Sequence, residues 1–186
     1  MNIENLVVKL SRDPFNPSLN FDVAEEYLRL NQTASAVSFY LRCAEYSEGV
    51  NAKAYTSLIR MAQCFEDQTG REYSVSNCLL QALAYDDTRP EAYFKLSHFY
   101  EKAGNWQEAY TFAILGLGWI WQEEELPADI GYYGAYCLQF QKAVAAWWIG
   151  RKDEAIAELK ILSDLDMHPM YKDAVANNLE KLNALL

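Results

Sequence analysis

A recurrence in phase constrains this chain more than any other feature. The stretch from Arg89 to Trp121, RPEAYFKLSHFYEKAGNWQEAYTFAILGLGWIW, reads as two amphipathic helices joined by a short polar turn. Pro90 suits a first helical turn, where its missing N–H has no intrahelical partner, and Glu91 complements the positive end of the helix dipole. Tyr93, Leu96, Ser97 and Tyr100 then share one face. Gly104-Asn105 ends the helix, because glycine takes the left-handed conformation needed just past a C-terminus. Trp106, Ala109, Ala113, Gly116 and Leu117 form a second stripe whose small members let the two helices approach closely.

The same phase recurs along the chain. From about Pro17 to Glu48, Val23, Ala24 and Tyr27 echo Leu96, Ser97 and Tyr100; Asn31 stands at the turn glycine; Ala36, Tyr40 and Cys43 make the second stripe, and Asn20 occupies a place where an aromatic is expected. From about Asn51 to Asp87, Tyr55, Leu58, Ile59 and Ala62 open a unit that Gly70, Val75, Leu79 and Ala82 complete. Roughly four extra residues separate Ala62 from Gly70, close to one helical turn, so the first helix there is expected to lengthen without rotating its apolar face. A polar connection, Gln122 to Asp129, interrupts the pattern. An aromatic-rich helix is expected from about Ile130 to Ile149, followed by the turn and second helix of GRKDEAIAEL, giving a fourth unit over 130–166. A short helix with Ile3, Leu6, Val7 and Leu10 on one face should precede the array and pack on its first unit. A terminal helix over 170–186, striped by Tyr171, Val175, Leu179, Leu182 and Leu186, should cap its end.

These units resemble the tetratricopeptide repeat (TPR), a helix–turn–helix of about 34 residues, through Tyr93, Leu96, Ser97, Tyr100, Gly104, Trp106, Ala109 and Gly116. The resemblance implies an all-α, right-handed superhelix of about four helix pairs, spanning 1–186 as one domain. Ser97 stands where the family usually has Gly, and Gly116 where it has Ala. The blocks DPFNPSLNFDVAEEYLRLNQTASAVSFYLRCAEY and RPEAYFKLSHFYEKAGNWQEAYTFAILGL are also similar to repeat modules that accompany glycosyltransferases in bacteria and their viruses. That likeness is to the helper region and not to a transferase domain.

Composition excludes several function classes. With 51% hydrophobic and 23% charged residues, a chain of 186 residues buries a core and is not a disordered segment. A formal charge of −10 argues against a nucleic-acid partner or an anionic membrane surface, both of which are held by clustered Lys and Arg. No apolar run is long enough to span a membrane, and the N-terminal stretch has no signal-peptide core, so a cytoplasmic location is expected. Cys43, Cys64, Cys78 and Cys137 stand alone inside helical patterns with no C-x-x-C pair, the pattern of buried reduced thiols.

No catalytic constellation is present. His98 and His168 lie far apart in the repeat order, in no H-E-x-x-H or comparable spacing, so no metal site is expected. Leu115-Gly116-Leu117-Gly118 holds a G-x-G late in a helix with no strand before it, which fails the context of a phosphate loop. Asp164-Leu165-Asp166 ends an amphipathic helix, outside the α/β setting in which an acid-x-acid pair holds a metal. No cofactor is expected, and the chain is read as a non-enzyme.

What remains is surface. In TPR arrays the first helices of successive units line a concave groove that receives a peptide. The resemblance carries that groove onto Phe21, Glu25 and Arg29 in the first unit, Lys53, Thr56, Arg60 and Gln63 in the second, and Glu91, Phe94, His98, Glu101 and Lys102 in the third. The irregular fourth unit adds Phe140, Val144, Trp147 and Trp148. Chaperone-tail receptors of the family grip a carboxylate with paired Lys and Asn; Phe21 and Glu25, Thr56 and Arg60, and Phe94 and His98 stand at those places, so that clamp is absent. A mixed aromatic and charged groove fits a partner segment with apolar side chains, which makes the leading reading a non-catalytic scaffold or adaptor. An accessory role in a glycosyltransferase or carbohydrate-modifying system, with a glycosyltransferase or a glycan as partner, is the second reading, and a self-assembling structural component the third.

Overall fold

The computed structural model describes residues 2–121 and 125–183, and every regular element among them is an α-helix. In order these are α1 (Ile3–Arg12), α2 (Pro17–Arg29), α3 (Thr33–Tyr46), α4 (Ala52–Glu66), α5 (Glu72–Tyr85), α6 (Pro90–Lys102), α7 (Trp106–Leu117), α8 (Ala135–Trp148), α9 (Lys152–Ser163) and α10 (Pro169–Asn183). Gln122, Glu123 and Glu124 of the expected connection, and Leu186 of the terminal stripe, lie outside the described residues. Two compact units emerge: one holds α1 to α5 with the segment ending at Ile130, the other α6 to α10.

In the first unit, α2 packs on α3 and α3 on α4, α4 packs on α5, and α2 also touches α4. Helix α1 lies on α2, with Leu6 and Leu10 sealed against Val23. Asn20 explains why the expected aromatic is missing. Its side chain is fully buried and its amide donates to Pro14 O at 3.1 Å and Asn16 O at 2.8 Å, so it pins the proline turn that delivers the chain into α2. The extra residues of the second unit divide between helix and turn. Helix α4 has 15 residues against 13 for α2, and the connection after it runs over 67–71 against 30–32. A whole extra helical turn does not form.

In the second unit, α6, α7, α8 and α9 pack in sequence, α6 also touches α8, and α10 covers α9 and α8. Its core joins Phe94, Leu138, Leu159, Leu162, Tyr171 and Val175. Ser97, the small residue of α6, is buried and donates to Ala109 O at 2.8 Å, fastening α6 to α7. Helix α8 starts five residues later than the periodicity indicates. Gly131 at φ 76° and Gly134 at φ 124° hold left-handed backbone that a helix cannot continue through, and Tyr132 and Tyr133 sit between them outside the helix.

Candidate functional site

Because α2 lies beside α4 and α6 beside α8, each unit presents a face made of two first helices. Side chains of successive helical turns project from these faces, and their chemistry differs between the two units.

On the first face the polar residues are cross-linked. Arg60 Nε donates to Glu25 Oε1 at 3.1 Å, Arg60 Nη1 to Gln63 Oε1 at 3.1 Å, and Gln63 Nε2 to Ile130 O at 3.2 Å. The Tyr40 hydroxyl donates to Glu25 from beneath; burial first, then that carboxylate, push it above the ordinary phenol range. Lys53 Nζ bonds Asp22 at 2.8 Å and Ser18 at 2.6 Å and lies 5.2 Å from the centre of the Phe21 ring. Arg29 closes on Glu26 at 2.7 Å. Between them opens a groove of about 680 Å³ lined by Leu6, Phe21, Asp22, Glu25, Glu26, Leu28, Arg29, Arg60 and Pro127.

The second face is aromatic. Phe94 stacks on His98 at 6.4 Å and 9°, and packs on Tyr132 at 5.5 Å. His98 Nδ1 lies 3.1 Å from Glu101 Oε2 and 3.3 Å from the Gln141 side-chain nitrogen. Phe140 meets Tyr171 edge-to-face at 5.5 Å. Burial, then its contact with Cys137, push the Tyr171 hydroxyl upward. A chamber of about 340 Å³ opens here, lined by Phe94, Lys95, His98, Glu101, Gly131, Phe140, Gln141, Met170, Tyr171 and Ala174.

Of the residues expected from the sequence, Glu25, Arg60 and Gln63 come together, as do Phe94, His98 and Glu101, with Phe140 on the same chamber. Others are spent inside. Thr56 is fully buried and bonds Ala52 O of its own helix, and Glu91 is buried in an ion pair with Arg89 at 2.9 Å. Phe21 and Phe94 keep 3% and 4% of their surface, so each forms the floor of its groove and not an exposed contact. Lys102 is exposed at the end of α6, and Val144 is half-buried. Trp147 is half-buried with Lys152 Nζ 4.9 Å from its ring, whereas Trp148 is exposed and stacks on Trp106 of α7 at 5.1 Å, away from the chamber lining. Asp22, Gln141, Met170 and Tyr171 escaped sequence reasoning. The first two are polar residues beside an aromatic in their helices and carry no motif, and the last two belong to a capping helix whose stripe signals core.

His168 is exposed and stacks on Tyr133 at 4.6 Å. Among the described residues no group of three His, Cys, Asp or Glu is placed to hold a metal ion, and no helix is long and apolar enough to cross a membrane.

Solved structures share this fold. The crystal structure of MamA is similar with a TM-score of 0.63 at 16% identity, covering 99% of this chain and 90% of MamA. YrrB, a TPR protein with an unusual peptide-binding site, is similar with a TM-score of 0.63 at 12% identity, over 96% of this chain and 81% of YrrB. The fold is that of tetratricopeptide repeat solenoids. PilW, a widely conserved type IV pilus biogenesis factor, shares the TPR fold with a TM-score of 0.63 at 17% identity, over 86% of this chain and 67% of PilW. No protein-family model matches the chain, and no curated protein matches its sequence.

Proposed function

We propose that this TPR-fold protein is a non-catalytic scaffold that holds a segment of a partner protein on a face made by the first helices of one unit. The observation that carries the reading is the α6/α8 face, where a chamber with aromatic walls is rimmed by the half-buried His98 and Glu101 and by the exposed Met170. Buried aromatic anchors inside a polar rim are the composition of protein-recognition surfaces. The α2/α4 face adds a charged groove whose ion pairs fix its shape and set which charges a partner must offer. The peptide-binding site of YrrB belongs to a protein with the same fold and supports the same kind of use here.

Selection from a displayed random-peptide library, followed by fluorescence anisotropy on the enriched peptides, tests this. Enriched peptides should bind the wild type and lose about tenfold or more to Arg60→Ala or His98→Ala, as expected when one good polar contact is removed. Both variants should keep wild-type helicity, since neither side chain is core. Undiminished binding by both folded variants would dismiss the two faces. Phe94→Ala is not a useful probe, because removing a buried ring costs about 3–5 kcal/mol of stability on its own.

One observation favours the carbohydrate reading as a second possibility. Trp148 keeps 61% of its surface while its ring is held parallel to Trp106 within 15°, a fixed flat platform on which a sugar ring could stack. Glycan-induced shifts at the Trp148 indole would support an accessory role that recognises sugar, and their absence at millimolar oligosaccharide dismisses direct recognition.

A further inference from the structure

We infer that the chamber between α6, α8 and α10 takes a tyrosine side chain from the partner segment, an inference that rests on the scaffold reading above. The chamber's volume of about 340 Å³ falls in the range that encloses a small organic group. Phe140 and Tyr171 are in edge-to-face contact at 86° and form one wall, and Met170 stands at the rim with 56% of its surface exposed, so a planar ring entering the chamber lies beside that wall and the thioether.

The polar wall narrows the choice of ring. Gln141 keeps only 4% of its surface, its amide nitrogen lies 3.3 Å from His98 Nδ1, and its amide oxygen is buried without a hydrogen-bond partner. Such a group is costly to leave unpaired. Turning the amide over only exchanges which atom lacks a partner. His98 Nδ1, held at 3.1 Å from Glu101, cannot donate to that carboxylate and accept from Gln141 at once, so both amide orientations must be considered. A phenol hydroxyl donates to the amide oxygen in one orientation and accepts from the amide nitrogen in the other. An indole N–H serves only the first, and a phenylalanine ring serves neither. Lys95 also lines the chamber, its Nζ 5.7 Å from the centre of the Phe94 ring, but the Glu101 carboxylate at the rim and the chain's net charge of −10 oppose a phosphorylated ring.

The test is a titration of ¹⁵N-labelled protein with N-acetyl-L-tyrosinamide, N-acetyl-L-phenylalaninamide and N-acetyl-L-phosphotyrosinamide. The tyrosine probe should shift the Gln141 side-chain amide and the His98 and Tyr171 backbone amides, with a dissociation constant on the order of 1 mM for so small a ligand. The phenylalanine probe should bind about three- to tenfold more weakly, the value of one neutral hydrogen bond, and the phosphotyrosine probe weaker still. In Gln141→Leu the tyrosine preference should vanish. If that variant fails to fold, Met170→Ala at the exposed rim should weaken both neutral probes alike. Equal binding of tyrosine and phenylalanine probes by the wild type, shifts confined to other helices, or silence at about ten times the expected constant would each overturn the assignment. Library peptides that bind through His98 but carry no tyrosine would remove the tyrosine and leave the scaffold standing; failure of every peptide would remove the scaffold instead.

Discussion

Gly116 leaves no room for a side chain. A β-carbon built there would lie 2.7 Å from Tyr93 Cβ and 3.0 Å from both Leu138 methyl groups, in the crevice where α7 meets α6 and α8. Alanine, the residue usual at this place in the repeats it resembles, would overpack it. Gly116→Ala should therefore destabilise by about 1–3 kcal/mol, against the roughly 1 kcal/mol that alanine gains over glycine inside an ordinary helix. Thermal unfolding followed by circular dichroism should show Tm lowered by several degrees; a rise would mean that the crevice opens freely. Asn31 is the complementary case, a non-glycine residue at φ 58° in the turn between α2 and α3. Asn31→Ala should cost about 1 kcal/mol in the same assay, because a β-carbon is penalised in left-handed backbone and alanine lacks the short polar side chain that makes asparagine tolerable there.

At the scale of elements, α8 and α9 are joined by a cluster of opposite charges. Lys142 reaches Glu158 and, at 3.1 Å, Glu154; the Tyr110 hydroxyl donates to Glu154 at 2.9 Å, and Arg151 donates to Tyr110 at 2.8 Å. Burial pushes the Glu154 carboxyl upward, but the bonds from Lys142 and Tyr110 more than reverse it, so it lies below its ordinary 4.5. A carboxyl whose folded value is depressed stabilises the fold above its unfolded value, and that contribution is lost as pH falls through the folded one. The stability difference between wild type and Glu154→Gln, measured by urea unfolding, should be fully present at pH 6 and shrink below about pH 4.5. A constant difference down to pH 3 would show that the cluster does not couple protonation to folding. Helix starts at this scale were legible where local chemistry dictates them: Pro90 opens α6, and Gly104 at φ 72° separates α6 from α7. The start of α8 was not, because aromatic residues continue across Gly131 and Gly134 and disguise a loop as helix.

For the whole molecule, the all-helical repeat fold was readable because the small-residue positions recur in phase, and the solved TPR structures share it. The candidate surface was less readable. Sequence spacing places Thr56, Glu91 and Phe94 on the expected faces but cannot tell a groove floor from a groove wall, since burial depends on how neighbouring helices lean together. Gln141 lacked any signal, because an unpaired amide exists only once its surroundings are folded. The four cysteines follow from the same packing. All are free and buried, and burial raises each thiol, Cys64 to about 11. A thiol-reactive dye at pH 8 should label the native protein slowly and all four sites rapidly in denaturant, because the thiolate is the reactive species; fast labelling of the native state would show that these helices open readily.

The most direct test of the scaffold is a map of where a bound segment lies. Backbone amide shifts should be recorded on ¹⁵N-labelled protein with and without a library-selected peptide at saturation. The scaffold reading predicts shifts concentrated on the first helices of a unit, α6 and α8 with His98 among the residues that move most, or α2 and α4 with Arg60 among them. Shifts concentrated on α3, α5, α7 and α9 would contradict it.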